Sequence, residues 1–243
     1  MKTHKKIVVI NFTGTVGKTT VAAHLLSPRM NGAPIYAVES INETAEGVGL
    51  EVEKLRGDNF RELFKRVVMQ DDAIIDVGAS NVEDFMTNLE GFEDAHEEID
   101  FYIVPVTSGT KEQKETIAMI NSLAALGVPA GKIKVVFNRV IRDVESEFPL
   151  IVHYHASTDR EGAGLFTLNL RCAIYETELF DALSINGLSL ESLMKDNNDY
   201  KSLLKSKEAE PEDRARWSDM YGLKLLCNGV NRKLDVVFDN LFN

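Results

Sequence analysis

The chain has 243 residues, 44% of them hydrophobic and 27% charged, with a formal charge of −11 at pH 7. That length buries a full core without help from a metal or disulfide, and the ordinary apolar content excludes global disorder. The acidic balance excludes a protein that wraps nucleic acid unaided, because such binding rests on many Lys and Arg at phosphates.

The basic start, through Lys5 and Lys6, leads into the first apolar run, Ile7–Phe12. Its unbroken part, Ile7 to Ile10, is too short for a signal peptide, and nowhere does the chain approach the ~20 apolar residues that a bilayer crossing needs. A glycine turn follows, then a helix over Lys18–Leu26. Further Val- and Ile-rich runs at Ile35–Val38, Ala73–Val77, Phe101–Val106 and Ile133–Phe137 alternate with helical patterns at Phe60–Gln70, Val82–Leu89 and Glu112–Leu126. Short continuous apolar runs between helices are the mark of buried parallel strands. The order predicts an α/β fold: a mostly parallel sheet with helices on both faces, joined by right-handed crossovers.

Beyond Arg139 the reading is two more strands, Leu150–Tyr154 and Leu170–Tyr175, with a loop at Glu161–Gly164 between them. From Glu176 the pattern turns helical and charged; a polar stretch at Lys201–Glu212 leads into a terminal helix that carries Trp217. The expected organisation is a nucleotide-binding α/β domain over 1–175 and a helical extension over 176–243 packed on it. The end, Leu234–Asn243, lacks the basic face of a membrane-binding helix. Cys172 and Cys227 have no CxxC spacing, and two reduced thiols in a cytoplasmic protein are expected.

The turn after the first strand carries the chemistry. In Thr13-Gly14-Thr15-Val16-Gly17-Lys18-Thr19-Thr20, glycines let consecutive N–H groups curl inward at a helix N-terminus, which makes an anion nest. Lys18 places a charge on the β- and γ-phosphates, Thr19 offers a hydroxyl to Mg²⁺, and Thr20 meets the α-phosphate. The strict G-x-x-x-x-G-K-[ST] pattern fails at Phe12, so the spacing is that of the shorter G-x-x-G-K-[ST] variant.

This segment resembles the deviant Walker A turn of the ParA and MinD family, K-G-G-x-G-K-T-T. Thr13 stands where that family has a lysine and Thr15 where it has its second glycine. The resemblance implies that the missing lysine would cross a sandwich homodimer to the partner's phosphates. Either hydrolysis is slow or another residue or partner supplies the charge. A wider span, roughly 5 to 140, resembles the plasmid StbB proteins. It rests on Asn11-Phe12-Thr13-Gly14, His24-Leu25-Leu26 with Pro28-Arg29, Ala37 through Asn42, and Asp76-Val77-Gly78-Ala79-Ser80-Asn81. What this implies is a ParA-like plasmid stability protein with a plasmid-encoded DNA-binding partner and a link to conjugative transfer.

The remaining site residues follow from strand ends. Asp76 closes an apolar run and would orient Mg²⁺ through water; the N–H of Gly78 would approach the γ-phosphate and act as a switch. ParA-like proteins place a D-x-D pattern after the second strand. Here Glu39 matches the first carboxylate and Ile41 the second, leaving Glu39 or Glu43 to orient the attacking water. Asn138, at the end of the Val135–Phe137 run and followed by Arg139, has an amide suited to adenine's edge. ParA-like proteins have a similar Asn-Arg pair. No N-K-x-D motif is present, which favours ATP over GTP, and Pro105, Thr107 and Ser108 would line the same mouth.

His153 and His155 share a face of the expected strand, but two ligands without a third do not make a metal site. Glu93–Glu98 reads as a solvated loop and Cys172 as core packing. Three functions compete: a slow ATPase switch, a nucleotide-binding scaffold that has lost catalysis, and a metabolic P-loop ligase or kinase. The last would need a Lys- and Ser-rich substrate loop near the phosphates, and the sequence offers none.

Overall fold

The computed structural model describes residues 4–39, 52–55, 59–92, 94–160, 162, 164–206 and 210–242. Among these residues seven strands, all paired in parallel, make one sheet in the order β3-β2-β4-β1-β5-β6-β7. They are β1 (Lys6–Val9), β2 (Ile35–Val38), β3 (Val52–Leu55), β4 (Ala73–Val77), β5 (Phe101–Val106), β6 (Ile133–Val140) and β7 (Ala173–Tyr175). The helices are α1 (Lys18–Thr20), which continues as a π-helical segment (Val21–Leu26), then α2 (Phe60–Val68), α3 (Val82–Gly91), α4 (Thr110–Ala125), α5 (Val144–Glu147) and α6 (Pro149–Arg160). After β7 come α7 (Leu179–Ile185), α8 (Leu190–Lys195), α9 (Tyr200–Leu203) and α10 (Pro211–Phe242).

Alternate residues of each strand face opposite layers. Val8, Ile75, Tyr102, Val104 and Phe137 point to the side covered by α2, α3, α4 and α6. Ile7, Val9, Ile74, Ile103 and Val136 point to the side covered by the α1 segment, α7, α8 and α10. Each such fully buried aliphatic side chain contributes about 1.5–3 kcal/mol. The C-terminal helices therefore complete the same sheet that carries the glycine turn: Cys227, Leu234, Val237 and Leu241 of α10 lie buried in the layer that holds Val21 and Leu25.

Register fixes the site. Val9 pairs with Asp76 on one side and Ile103 on the other, and Ala37 pairs with Asp76. The chain leaves β1 towards β2 and later returns to β5 on its other side. The C-terminal end of β1 is thus the switch point where open parallel sheets hold ligands.

Some expectations need correction. The run Leu150–Tyr154 is helical, inside α6, which starts at Pro149; proline suits the first helical position because its missing N–H has no partner there. His153 and His155 therefore do not share a strand face. The ring of His155 instead packs edge-on against Phe166, and among the described residues no cluster of metal-ligating side chains forms. Of Leu170–Tyr175 only Ala173–Tyr175 pairs as strand. Strand β3 is an addition to the runs read from the sequence. The expected loop at Glu161–Gly164 falls partly on residues outside the described ones, as does Glu93; Ala95–Glu98 forms a short 3-10 helix. Cys172 and Cys227 are both unbridged and buried. Among the described residues no helix is long and apolar enough to cross a membrane.

Candidate functional site

The turn after β1 winds through a 3-10 segment (Gly14–Val16), reverses at Gly17 in the left-handed region (φ 81°, ψ 38°), and enters α1 at Lys18. Asn11, wholly buried, anchors its root: its amide donates to the Pro105 carbonyl (2.8 Å) and to Thr116 Oγ1 (2.7 Å), and its Oδ1 accepts from Thr13 N–H (3.2 Å). Lys18 Nζ lies under the loop and donates to the carbonyls of Thr13 (2.7 Å) and Asn11 (3.2 Å). Its charge thus sits on the axis of the turn. The π-helical segment beyond α1 is buried throughout, and such departures from α geometry recur at functional sites.

Thr19 Oγ1 donates to Asp76 Oδ2 at 2.7 Å. Both face an open polar cavity of about 410 Å³ lined also by Gly14, Thr15, Gly17, Lys18, Thr20, Glu39, Gly78 and Arg139. One hydroxyl and one carboxylate are what a Mg²⁺ ion needs when waters and phosphates fill its other positions. Burial pushes the Asp76 carboxyl pKa up, opposed by the Thr19 hydrogen bond and the Lys18 charge.

That direction has a testable consequence. A carboxyl whose folded pKa is raised favours folding below its unfolded pKa and loses that contribution as pH rises through the folded value. At neutral pH, above the range where the unfolded carboxyl titrates, burial of Asp76 therefore costs the nucleotide-free chain stability. Asp76→Asn is expected to raise the melting temperature at neutral pH, with the gain shrinking towards about pH 4, where the unfolded carboxyl titrates. A lower melting temperature for the variant at neutral pH would contradict the burial penalty.

Glu39, just past β2, is on the cavity wall with Lys18 and Asp76. Ile41 and Glu43 lie outside the described residues. The Gly78 N–H, expected to face phosphate, donates to the Val38 carbonyl (2.9 Å), extending the sheet. Asn138 also differs from expectation. Its Nδ2 donates to the Val16 carbonyl (2.9 Å) and its Oδ1 accepts the Arg139 N–H (3.0 Å), so the buried amide braces the glycine turn instead of standing open to a base. The cause is a bulge: the β6–β7 register shifts between Asn138 and Val140, and Arg139 takes a left-handed φ of 55°. Asn138 is turned inward and Arg139 outward over the cavity. Pro105 holds Asn11, and neither it, Thr107 nor Ser108 lines the cavities here.

Sequence reasoning missed the neighbouring cavity of about 150 Å³, where Thr20, Asn138 and Arg139 meet Tyr175, Glu176, Thr177, Phe180 and Asp181. The end of a parallel strand at Tyr175 is the signal that could have found it. His24, buried on the π-helical segment, stacks on Phe180 (5.3 Å between centroids), and burial lowers its pKa to about 4. Also missed was Glu115 of α4, whose Oε2 accepts the Thr13 hydroxyl.

No protein-family model and no curated protein matches the chain. Solved structures do. The septum site-determining protein MinD of Pyrococcus horikoshii OT3, complexed with Mg-ADP, is 16% identical with a TM-score of 0.50, covering 79% of this chain and 90% of its own. Apo McdA of Cyanothece is 15% identical (TM-score 0.47, 90% and 98% covered). A plasmid partition protein of Borrelia burgdorferi B31 bound to AMPPNP is 13% identical (TM-score 0.48, 91% and 98% covered). The fold is that of MinD.

Proposed function

We propose that the chain binds ATP with Mg²⁺ in the turn Gly14–Thr20 and works as a slow ATPase switch of the ParA type in plasmid stability, partition and conjugative transfer, as the StbB resemblance implies. The observation that carries the reading is the convergence of Lys18, Thr19 and Asp76 around the left-handed turn at Gly17. Lys18 and the loop amides would hold the β- and γ-phosphates; Thr19 directly and Asp76 through water would hold Mg²⁺, which polarises the transferring phosphoryl group when bound. Glu39 is the wall carboxylate placed to orient water, and Arg139 stands over both cavities. The base would enter the smaller cavity beside Thr20, against Arg139 and Phe180.

In this proposal residues 1–175 carry the phosphate and Mg²⁺ positions, and the helical extension over 176–243 closes the smaller cavity through Glu176, Thr177, Phe180 and Asp181. A DNA-binding protein from the same plasmid is the partner we infer, with a homodimer as the working form, in the cytoplasm; direct contact with nucleic acid is not part of the reading. The scaffold alternative draws on Thr13 and on the Gly78 N–H already being held by Val38.

Phosphate release from Mg-ATP, with and without DNA and the partner, separates the two: turnover that rises on adding them supports the switch, and none under any condition supports the scaffold. A gain-of-function variant sharpens this. Because the Thr13 hydroxyl meets Glu115, a lysine at position 13 would pair with that carboxylate in its own chain. Thr13→Lys alone is expected to leave turnover nearly unchanged, while Thr13→Lys with Glu115→Gln raises it by about tenfold or more, as a freed cation reaches phosphate. Equal rates for the single and double variants would show that Glu115 does not restrain that position.

A further inference from the structure

Strand β7 ends the sheet. Its bonds to β6 run through the Cys172 carbonyl, which accepts from Phe137 N–H (2.9 Å), and the Glu176 N–H, which donates to Val140 O (2.9 Å). With period two along the strand, the main-chain groups of Ala173 and Tyr175 face away from β6. Beside them, against α10, runs an open groove of about 570 Å³. Its surface is mostly apolar, with Val236 57% exposed and Tyr175 47% exposed. Arg171, Arg232 and Lys233 rim it, and among the described residues no carboxylate lines it. Among the described residues the groove thus carries only positive charge, in a chain whose net charge is −11.

We propose that this groove docks an extended, acidic segment of a partner polypeptide, which adds to β7 as a further strand. Open strand edges pair with incoming chains through main-chain hydrogen bonds, and flanking pockets select alternate side chains. The carboxylates meet Arg171, Arg232 and Lys233, and the apolar side chains between them meet Val236. Edge strands are commonly protected by lysines on the strand itself. Here Arg232 and Lys233 instead stand across the groove on α10, and among the described residues the edge between them and β7 is open. Nucleic acid fits less well, because an apolar surface and a row of main-chain amides and carbonyls match a peptide rather than a phosphate chain. Tyr175 also lines the smaller cavity beside Arg139, so an occupant of the groove lies next to the candidate site.

The test titrates the full chain, without nucleotide, with three short fluorescent peptides: alternating valine and glutamate, the same with lysine for glutamate, and the glutamate peptide with its backbone N-methylated. The glutamate peptide is expected to bind at least about tenfold more tightly than the other two, and Arg232→Glu with Lys233→Glu to reverse the preference between glutamate and lysine. Both positions are exposed and outside the nucleotide site, and Val236→Asp is a second groove variant, expected to weaken the glutamate peptide. Melting curves establish that the variants fold. The proposal is overturned if the glutamate peptide does not bind, if N-methylation leaves binding intact, or if the groove variants bind like wild type. It is equally overturned if a single-stranded DNA oligonucleotide occupies the groove with the same dependence on Arg232 and Lys233, or if sedimentation shows that the groove joins two copies of the chain.

Discussion

Replacing Lys18 by alanine is expected to abolish the calorimetric signal of Mg-ATP binding that the wild-type chain gives. The side chain is 5% exposed, and its ammonium is held at the centre of the glycine turn by the carbonyls of Thr13 and Asn11. A nucleotide's β- and γ-phosphates would take over those contacts as charge-assisted hydrogen bonds in a partly desolvated cavity. Losing that cation costs at least about a hundredfold in affinity, or ~2.8 kcal/mol at about 1.4 kcal/mol per tenfold. The variant also lacks the charge that holds down the Asp76 pKa, so that pKa rises further and the Mg²⁺ position suffers too. Two carbonyls lose their buried donor, so some loss of stability accompanies the effect, and a melting curve without nucleotide must be recorded beside the titration. A folded Lys18→Ala chain that binds as wild type does would remove Lys18 from the phosphate site. If wild type itself fails to bind, the proposed function falls while the docking groove at β7 stays testable.

What the sequence made readable, and what it did not, follows from distance along the chain. Ile35–Val38, Ala73–Val77 and Phe101–Val106 are read with their final boundaries because central parallel strands, buried on both faces, appear as unbroken apolar runs. Edge strand β3, Val-Glu-Lys-Leu, has no such run and went unseen. Leu150–Tyr154 reads as a strand yet is helical, since a short apolar run fits a strand as well as one buried side of a helix; Pro149 is the available sign of a helix start. In the site, the glycine turn is local and legible. Asp76 is placed by an apolar run that ends on a carboxylate. The roles of Asn138 and Glu115 are not local. They depend on a bulge at Arg139 and on α4 packing against a turn that lies about a hundred residues earlier in the chain, and no spacing rule carries that. The wall from Glu176 to Asp181 falls in the helical extension read from Glu176 onward, because composition changes there, although the polypeptide is still rounding the end of the sheet.

The two glycines of the turn make the same point as an experiment. In the sequence Gly14 and Gly17 have one role, letting the backbone curl, but their surroundings differ. A Cβ on Gly14 would meet only the Cβ of Ala79 at 3.7 Å, an ordinary contact, and its φ is not positive. A Cβ on Gly17 would lie 2.3 Å from Asn138 Nδ2, at a φ of +81° that costs an alanine roughly 1 kcal/mol or more. Asn138 cannot yield cheaply, because it is 3% exposed and both ends of its amide are bonded, to Val16 and Arg139. Gly17→Ala is therefore expected to lower stability by more than about 2 kcal/mol, whereas Gly14→Ala stays within about 0.5 kcal/mol of wild type. Chemical denaturation of the two variants without nucleotide measures the difference. In the double variant Gly17→Ala with Asn138→Ala, part of the loss should return, because the clash goes and only the strain of the left-handed turn and the lost brace remain. If Gly17→Ala and Gly14→Ala prove equally harmless, Asn138 does not brace the turn and is again available to a base.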